Sequence, residues 1–347
     1  MFISSPFALK RPNTTFELIV DTTYFTGINS VVKKHINEDG FIGKNYDKEA
    51  NLHILTIGGS TTECFLLNDE ESWPVLLEKK LTTELSKKVW IGNLGKSGFN
   101  TQHHVVQMQT QVPTFPRVDL IIVLIGVNDM LRELKYTPNY IPLTEAQTLR
   151  STYSYYSNTA NATFPRNLKL TEYILRTNTF YFPKKIETIQ VDGKSVHEAR
   201  QHRFKAKTTI LEVPDLKNAL LRYEQNITQL ITLAEEQNIK IVFATQPTLW
   251  KEQMHNKEKS LLWLGSKGEH GKNGEVYFHH SVLKRCMDLY NKKLLDVAQA
   301  HSIPVVDLAN TLEKSTLNFY DGMHFNIKGA KNVSTSLEKP VLKIIRQ

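Results

Sequence analysis

The chain has 347 residues, of which 40% are hydrophobic, so it can bury a sizeable core and is not intrinsically disordered. Its net charge of +8 comes from 43 basic and 35 acidic residues that are interspersed, and no zinc-finger spacing or long basic tract indicates nucleic-acid binding. Two cysteines, Cys64 and Cys286, are too few for a disulfide-stapled secreted scaffold.

The amino-terminal residues and the hydrophobic runs also bear on membrane association. Residues 1–13 lack the apolar core of a signal peptide, and no run approaches the roughly 18 apolar residues of a membrane span. We therefore expect a soluble protein, in the cytoplasm or exported, because the sequence favours neither compartment. The oligomeric state is left open.

The predicted elements alternate between strands and helices over most of the chain. One or two short strands are predicted in the amino-terminal flank, between residues 14 and 48. Strands are then predicted at 52–57, 89–94, 119–125, 239–245 and 305–308, and helices at 72–88, 100–112, 216–238, 276–301 and 326–345. This alternation predicts a mainly parallel sheet with right-handed crossovers, and the almost unbroken apolar run at 119–125 is typical of its central strand.

We divide the chain into a flank, residues 1–50, and one α/β domain, residues 51–347, with an insertion at 136–214. Long excursions in compact domains are often functional, so the insertion is interpreted as a cap over the site. Its tyrosines could stack on a sugar or acyl chain and its basic residues could bind an anionic group, although a solvated flap fits the sequence equally well. These residues are Tyr153, Tyr155, Tyr156, Lys184, Lys185, Arg200, Arg203, Lys205 and Lys207.

A serine stands directly after the first core strand, at a tight glycine turn. Gly58 and Gly59 allow a sharp turn, and Ser60 follows them before the next helix. This strand–turn–helix context presents a serine as a nucleophile at the carboxyl end of a sheet. A phosphate-binding or structural turn has the same pattern, so the stretch alone does not decide its chemistry.

Other loops carry the remaining groups that acyl transfer requires. Gly98 and Asn128 follow the second and third core strands, and Asp321 and His324 share a loop near the carboxyl end. The carboxyl ends of the strands in an open α/β sheet meet at one rim, so these residues should converge on Ser60. We expect Ser60 to attack the carbonyl, His324 to act as base and then acid, and Asp321 to orient the imidazole. The N–H groups of Ser60 and Gly98 and the Asn128 amide would form the oxyanion hole.

Four sequence blocks resemble the SGNH hydrolases, also called GDSL-type esterases and lipases. The blocks are Gly58-Gly59-Ser60-Thr61, Asn93-Leu94-Gly95-Lys96-Ser97-Gly98, Gly126-Val127-Asn128-Asp129 and Asp321-Gly322-Met323-His324. In addition, Ser72-Trp73-Pro74-Val75-Leu76-Leu77 is similar to a helix start in bacterial thioesterase/lysophospholipase members. The resemblance implies a flavodoxin-like three-layer α/β/α sandwich, a serine nucleophile, no metal or cofactor, and hydrolysis of esters or thioesters.

The match departs from the family pattern at Gly59, where the family has an aspartate before the nucleophile. This change removes a carboxylate beside Ser60. The serine, glycine, asparagine and histidine positions are still filled, so the departure bears on which substrate is used and not on the type of reaction. Gly95 is a second candidate for the oxyanion glycine. Gly98 is preferred because the Ser-Gly step that it completes matches the family.

Several other residues have competing interpretations. Asp307, at the end of a strand, rivals Asp321 as the orienting carboxylate. The histidine pairs at 103–104 and 279–280 are predicted to be solvated rather than metal-binding, since adjacent residues on a helix point apart. Three aromatic residues around a glycine-rich loop could line an acyl or sugar pocket or simply pack, namely Trp250, Trp263 and Phe278.

The sequence thus predicts a serine esterase that hydrolyses an O-acetyl or short acyl ester of a carbohydrate or lipid. An O-acyltransferase acting on a sugar hydroxyl would use the same triad, and the sequence does not separate the two. A non-catalytic glycan- or lipid-binding module is disfavoured because the set of catalytic residues is complete. The expected partner is a small-molecule, glycan or lipid ester.

Overall fold

A computed structural model describes residues 7–153, 186–268 and 276–347. The strands are β1 (Thr14–Val20), β2 (Val31–Ile36), β3 (Leu52–Gly58), β4 (Val89–Asn93), β5 (Leu120–Leu124), β6 (Ile186–Val191), β7 (Thr208–Ile210), β8 (Lys240–Ala244), β9 (Ser266–Lys267), β10 (Val276–Phe278) and β11 (Val305–Val306). The helices are α1 (Ser60–Glu63), α2 (Trp73–Leu85), α3 (Thr101–Thr110), α4 (Val127–Tyr136), α5 (Glu145–Thr152), α6 (Gly193–Phe204), α7 (Lys217–Glu236), α8 (Asn256–Lys259), α9 (His280–Ala300), α10 (Leu308–Thr311) and α11 (Ile327–Arg346).

Five parallel strands form the central sheet, in the spatial order β11-β8-β5-β3-β4. Counting these strands along the chain, the order from the opposite edge is 2-1-3-4-5, which is the flavodoxin-like order. All the residues of β5 are buried, as the apolar run at 119–125 predicts. The predicted fold class is therefore confirmed.

Helices cover both faces of this sheet. Helix α2 packs against α11 in one layer, while α3 packs against α7, and α7 against α9, in the other. Right-handed crossovers in this strand order place those two groups on opposite faces. The carboxyl ends of β3, β4 and β5 then open onto one rim, where α1, the Gly95–Gly98 turn and α4 begin.

The flank and part of the insertion form a second sheet beside the core. Strand β1 pairs antiparallel with β2 and parallel with β6, so the insertion supplies a strand to the flank. Ile42 bridges to Ile36 and to Asn93, which joins this sheet to the edge strand β4. The part of the predicted cap at 154–185, with Tyr155, Tyr156, Lys184 and Lys185, lies outside the described residues.

The helix predicted at 276–301 is wrong in its first turn. Residues Val276–Phe278 form β10, which pairs with β7 and β9, and the helix α9 begins at His280. Tyr277 and Phe278 are each 1% exposed, so tertiary pairing of two aromatic β-formers overrides the apparent continuation of the helix. The His279 side chain then accepts a hydrogen bond from the Ser281 N–H and caps α9.

The prediction that the histidine pair at 103–104 is solvated is also wrong. Both side chains are 1% exposed. His103 Nδ1 lies 2.5 Å from Asn100 Oδ1 in a capping box at the start of α3, and His104 Nδ1 lies 2.9 Å from Gln107 Oε1. Burial is the main cause that lowers the pKa of His103 to about 3 and that of His104 to about 4, so both rings are neutral.

Candidate active site

The turn that carries Ser60 is held close to the sheet by its glycines. A Cβ on Gly58 would lie 2.2 Å from Thr62 Oγ1 and 2.5 Å from the carbonyl oxygen of Leu124, so only glycine fits between α1 and β5. The Gly59 carbonyl accepts hydrogen bonds from the N–H groups of Thr62 and Glu63. Ser60 is thereby the first residue of α1, half-buried at the rim, and its own N–H has no acceptor within the helix.

The structure brings Ser60, His324 and Asp321 into one hydrogen-bonded chain. His324 Nε2 lies 2.7 Å from Ser60 Oγ, and His324 Nδ1 lies 2.6 Å from Asp321 Oδ2. Asp321 Oδ1 accepts from the N–H groups of Met323 at 2.9 Å and His324 at 2.8 Å. These contacts fix the carboxylate and the ring within a single loop.

The electrostatics of the loop set the proton positions. Burial alone would raise the pKa of the Asp321 carboxyl, but the hydrogen bonds that it accepts, and the attraction of the His324 ring when that ring is protonated, outweigh burial and lower the pKa to about 2. Since Asp321 is therefore ionised, His324 carries its proton on Nδ1, facing the carboxylate. Nε2 is then the acceptor for the Ser60 hydroxyl.

The rival carboxylate, Asp307, lies elsewhere. It accepts hydrogen bonds from Thr245 Oγ1 at 2.8 Å and from Asn310 Nδ2 at 2.6 Å, and so ties β8 to α10. A different side chain contacts Asp321, because Trp263 Nε1 donates to Asp321 Oδ2 at 2.9 Å. Sequence reasoning placed Trp263 near a pocket but did not assign it this hydrogen bond.

The other two aromatics considered with Trp263 have packing roles. Trp250 and Phe278 are each 1% exposed and belong to the hydrophobic core. Trp250 packs against the loop that carries Asp321 and His324, since a Cβ on Gly322 would lie 2.8 Å from its Nε1.

Asn128 and Gly98 lie near the turn that carries Ser60. Asn128 Nδ2 donates to the Phe99 carbonyl at 2.7 Å, which leaves the second amide hydrogen for another acceptor. A Cβ on Gly59 would lie 2.5 Å from the same nitrogen, so the amide rests directly against the residue before Ser60. Gly98 has φ +79°, which favours glycine, and among the described residues no atom lies within 4 Å of a Cβ built there.

Gly95, the alternative oxyanion glycine, is already engaged. Its N–H donates to Asn93 Oδ1 at 2.9 Å, and a Cβ there would lie 2.4 Å from the Glu63 nitrogen. Gly95 therefore packs the turn against α1, while Gly98 is exposed at the rim.

A buried carboxylate that sequence reasoning missed connects the two turns. Glu63, 1% exposed, accepts from the Ser97 N–H at 2.7 Å and from the Ser97 hydroxyl, and pairs with Lys10 Nζ at 2.5 Å. Burial alone would raise the pKa of Glu63, but the Lys10 charge and these hydrogen bonds outweigh it and lower the pKa. Glu63, the last residue of α1, thus links that helix to Ser97, the residue before Gly98. The only feature of the sequence that could have indicated this role is the position of Glu63 one turn after Ser60.

Two arginines of the insertion bind backbone carbonyls instead of facing the site. Arg200, 5% exposed, donates to the carbonyls of Tyr24, Leu261 and Tyr320 at 2.7, 3.2 and 3.0 Å. Arg203 donates to the carbonyls of Leu264 and Phe278, each at 2.6 Å. Arg200 is thereby joined to the residue before Asp321, and Arg203 to the carbonyl at the end of β10.

The described part of the insertion also contains one of the tyrosines proposed to stack on substrate. Tyr153 is buried, its hydroxyl lies 2.7 Å from Thr110 Oγ1, and its ring packs against Phe7. Its ring face is therefore used in packing.

Neither a membrane span nor a metal cluster is found in the part of the chain that the structure describes. No helix there is both long and apolar enough to cross a bilayer. No three His, Cys, Asp or Glu side chains within the described ranges are grouped so that they could hold a metal ion.

Comparisons with known proteins identify a family. The model of the GDSL-like lipase/acylhydrolase family matches residues 54–337. No curated protein sequence matches the chain.

Several solved structures are similar at low sequence identity. An α/β hydrolase from the metagenome of Lake Arreo is 14% identical with a TM-score of 0.45, over 84% of this chain and 95% of that one. An acetylxylan esterase from Geobacillus stearothermophilus is 13% identical with a TM-score of 0.45, over the same shares. A lipolytic G-D-S-L family member from Veillonella parvula is 11% identical with a TM-score of 0.43, over 85% and 99%. Because the family model spans most of the sequence, the chain belongs to the GDSL-like lipase/acylhydrolase family and is a hydrolase of acyl esters.

Proposed function

We propose that the protein hydrolyses an O-acetyl or short acyl ester of a carbohydrate or lipid, with Ser60 as nucleophile, His324 as general base and Asp321 as the orienting carboxylate. The observation that supports this assignment is the continuous hydrogen-bond chain from Asp321 Oδ2 through both ring nitrogens of His324 to Ser60 Oγ. Nucleophile, base and orienting group lie at the separations that proton transfer requires.

In the acylation step, Ser60 Oγ attacks the carbonyl carbon as its proton moves to His324 Nε2. The imidazolium that forms is stabilised by Asp321, which is ionised at any working pH because its pKa is lowered to about 2. The carbonyl oxygen becomes an oxyanion between the N–H groups of Ser60 and Gly98 and the free amide hydrogen of Asn128. Nε2 then protonates the leaving alcohol.

In the deacylation step, a water molecule takes the place of the alcohol and His324 removes its proton. The attack on the acyl-serine passes through the same oxyanion hole and regenerates Ser60. An acceptor sugar hydroxyl in place of water would make the enzyme an acyltransferase. The exposed position of Gly98, with open space beside it among the described residues, supports access of a bulky alcohol to this rim.

The assignment is tested with the Ser60→Ala variant. A fluorophosphonate probe should label the wild type at Ser60 and fail to label the variant, and para-nitrophenyl acetate hydrolysis should disappear with it. Ser336→Ala, which removes a hydroxyl from the packed helix α11, serves as the matched control and should keep both signals. Full labelling of Ser60→Ala would refute the proposed nucleophile, and product analysis with and without sugar acceptors separates hydrolysis from transfer.

A further inference from the structure

We propose that Arg132 makes the enzyme selective for esters that carry an anionic group, such as a carboxylate or phosphate, close to the scissile bond. The proposal rests on the function proposed above and adds a substrate class to it. It assigns to Arg132 the anion recognition that the sequence had offered, as one of two readings, for the basic residues of the insertion, Arg200 and Arg203 among them.

Arg132 is placed at the oxyanion side of the site. It lies on α4 one turn after Asn128, so both side chains project from the same face of that helix. Its Nη2 donates to the Gly98 carbonyl at 2.8 Å. The guanidinium therefore borders the glycine that is proposed above as an oxyanion donor.

The guanidinium retains donors that the described residues do not use. The side chain is partly exposed, and the bond to Gly98 occupies one of its five N–H donors. Among the described residues no carboxylate forms an ion pair with Arg132, whereas the adjacent Glu133 pairs with Arg222. The nearby Asp129 carboxylate accepts from the Thr101 N–H and hydroxyl.

The space beside Gly98, whose carbonyl accepts the Arg132 hydrogen bond, is open. Within the described ranges no atom lies within 4 Å of a Cβ built on Gly98, and Gly98 itself is exposed. A planar guanidinium fork matches the two oxygens of a carboxylate or phosphate and holds them in one orientation. An anionic group on the substrate can therefore bind Arg132 while its ester carbonyl occupies the oxyanion hole.

The other cations around the site are not available in this way. Arg200 and Arg203 donate to backbone carbonyls, and Lys10 is paired with Glu63. Lys96 donates to the Leu9 carbonyl. Among these described cations, Arg132 alone combines contact with the oxyanion glycine, partial exposure and unused donors.

The test compares kcat/KM for three chromogenic esters with closely related leaving groups. Para-nitrophenyl acetate is neutral, the para-nitrophenyl monoester of succinic acid carries a carboxylate on the acyl side, and 5-acetoxy-2-nitrobenzoate carries one on the alcohol side. We expect the wild type to prefer one of the two anionic esters over the neutral ester. The preferred ester identifies whether Arg132 contacts the acyl side or the alcohol side of the substrate. Arg132→Gln should lower the anionic-to-neutral ratio about 10-fold, as expected for loss of a hydrogen bond to a charged group.

The ratio separates selectivity from damage to the oxyanion hole. Loss of the hydrogen bond to the Gly98 carbonyl should slow the hydrolysis of every ester by the same factor. This effect therefore cancels in the anionic-to-neutral ratio of kcat/KM. Arg132→Lys keeps the positive charge but lacks the planar pair of N–H donors of the guanidinium, and should give an intermediate ratio. Lys135→Gln removes an equal charge from the same helix and should leave the ratio unchanged.

Two outcomes would overturn the proposal, and a third would overturn the function on which it rests. An unchanged ratio in a folded Arg132→Gln variant refutes the role of Arg132 while leaving the esterase intact. An equal fall in Lys135→Gln would assign the preference to the overall charge of the protein. A wild type that hydrolyses none of the three esters would instead refute the proposed function on which the inference rests.

Discussion

A methyl group added at Gly59 should reduce turnover without unfolding the protein. In Gly59→Ala the new Cβ would lie 2.5 Å from Asn128 Nδ2, so the amide must move by about 1 Å to reach van der Waals separation. The backbone itself tolerates alanine, because Gly59 has φ −84° and ψ −150°. The added methyl group clashes with the end of a side chain that can rotate. We therefore expect the variant to displace the Asn128 amide without destabilising the fold.

The expected loss follows from what that amide is proposed to do. Removal of one oxyanion donor typically lowers kcat about 10²–10³-fold, and a displaced donor should approach this loss. Gly59→Ala should therefore lower kcat on para-nitrophenyl acetate with little change in KM or Tm. Gly59→Asp, which restores the residue usual in the family, should also lower kcat, because its Cβ meets the same nitrogen.

A double-mutant cycle tests whether Gly59 acts through Asn128. Once Asn128→Ala has removed the amide, adding Gly59→Ala should cost almost nothing, so the two losses should not add. Gly98→Ala is the contrasting variant, because its effect should come from the backbone and not from a clash. The added methyl group contacts no described residue outside the turn, but alanine at φ +79° costs about 1–2 kcal/mol of backbone strain. An unchanged kcat in Gly59→Ala, or losses that add in the double variant, would refute the reasoning.

Other groups around the site lead to further predictions. Glu63→Gln should lower the free energy of unfolding by about 3 kcal/mol, because it leaves the Lys10 charge unpaired, and an unchanged urea midpoint would contradict this. Asp321 has a folded pKa of about 2 against 3.8 for the ordinary carboxyl, so its contribution is present above about pH 4 and lost as pH falls toward 2. This contribution is roughly 2 kcal/mol, and Asp321→Asn should remove that part of the pH dependence in urea unfolding. Turnover should survive exhaustive chelation, and its recovery only on adding zinc would contradict the triad mechanism.

The core fold could be predicted because its signals are local. The apolar runs at 52–57 and 119–125 are long enough to fix two strands, and each is followed by a glycine turn that carries a polar residue. Parallel strands place such turns on one rim, so the meeting of Ser60 with His324, far along the chain, followed from topology. Topology could not decide whether Asp321 or Asp307 orients the histidine, since each lies in a loop or at a strand end where an orienting carboxylate could stand. Their hydrogen bonds distinguish them.

Residues whose role depends on a distant partner were missed or misplaced. Glu63 was given no role in the sequence analysis, and only the chain path of the flank brings Lys10 to it. His103 is chemically suited to solvent, yet its capping box with Asn100 and the packing of α3 bury it. A charge run such as residues 184–207 indicates solvated side chains on average, and the sequence carries no signal that two of its arginines turn inward.

Arg200 leads to a last prediction, which concerns whether the insertion selects substrates or supports the site. Its guanidinium joins the flank at Tyr24, the loop at Leu261 and the catalytic loop at Tyr320, the residue before Asp321. Arg200→Met keeps most of the buried volume but leaves these carbonyls without their donor. At about 1–3 kcal/mol for each buried group left unsatisfied, we expect a loss of at least about 2 kcal/mol in the free energy of unfolding.

The effect on catalysis should be uniform across substrates. Because Arg200 acts on the position of the catalytic loop, Arg200→Met should lower kcat by the same factor for para-nitrophenyl acetate and for larger or anionic esters. Lys194→Met, on an exposed position of α6, removes an equal charge from the same helix and should change neither Tm nor kcat. A variant of native stability that lost activity only on the larger esters would show instead that Arg200 contacts substrate. Uniform loss would mean that this part of the insertion supports the catalytic loop, so that substrate selection must come from residues such as Arg132 at the rim.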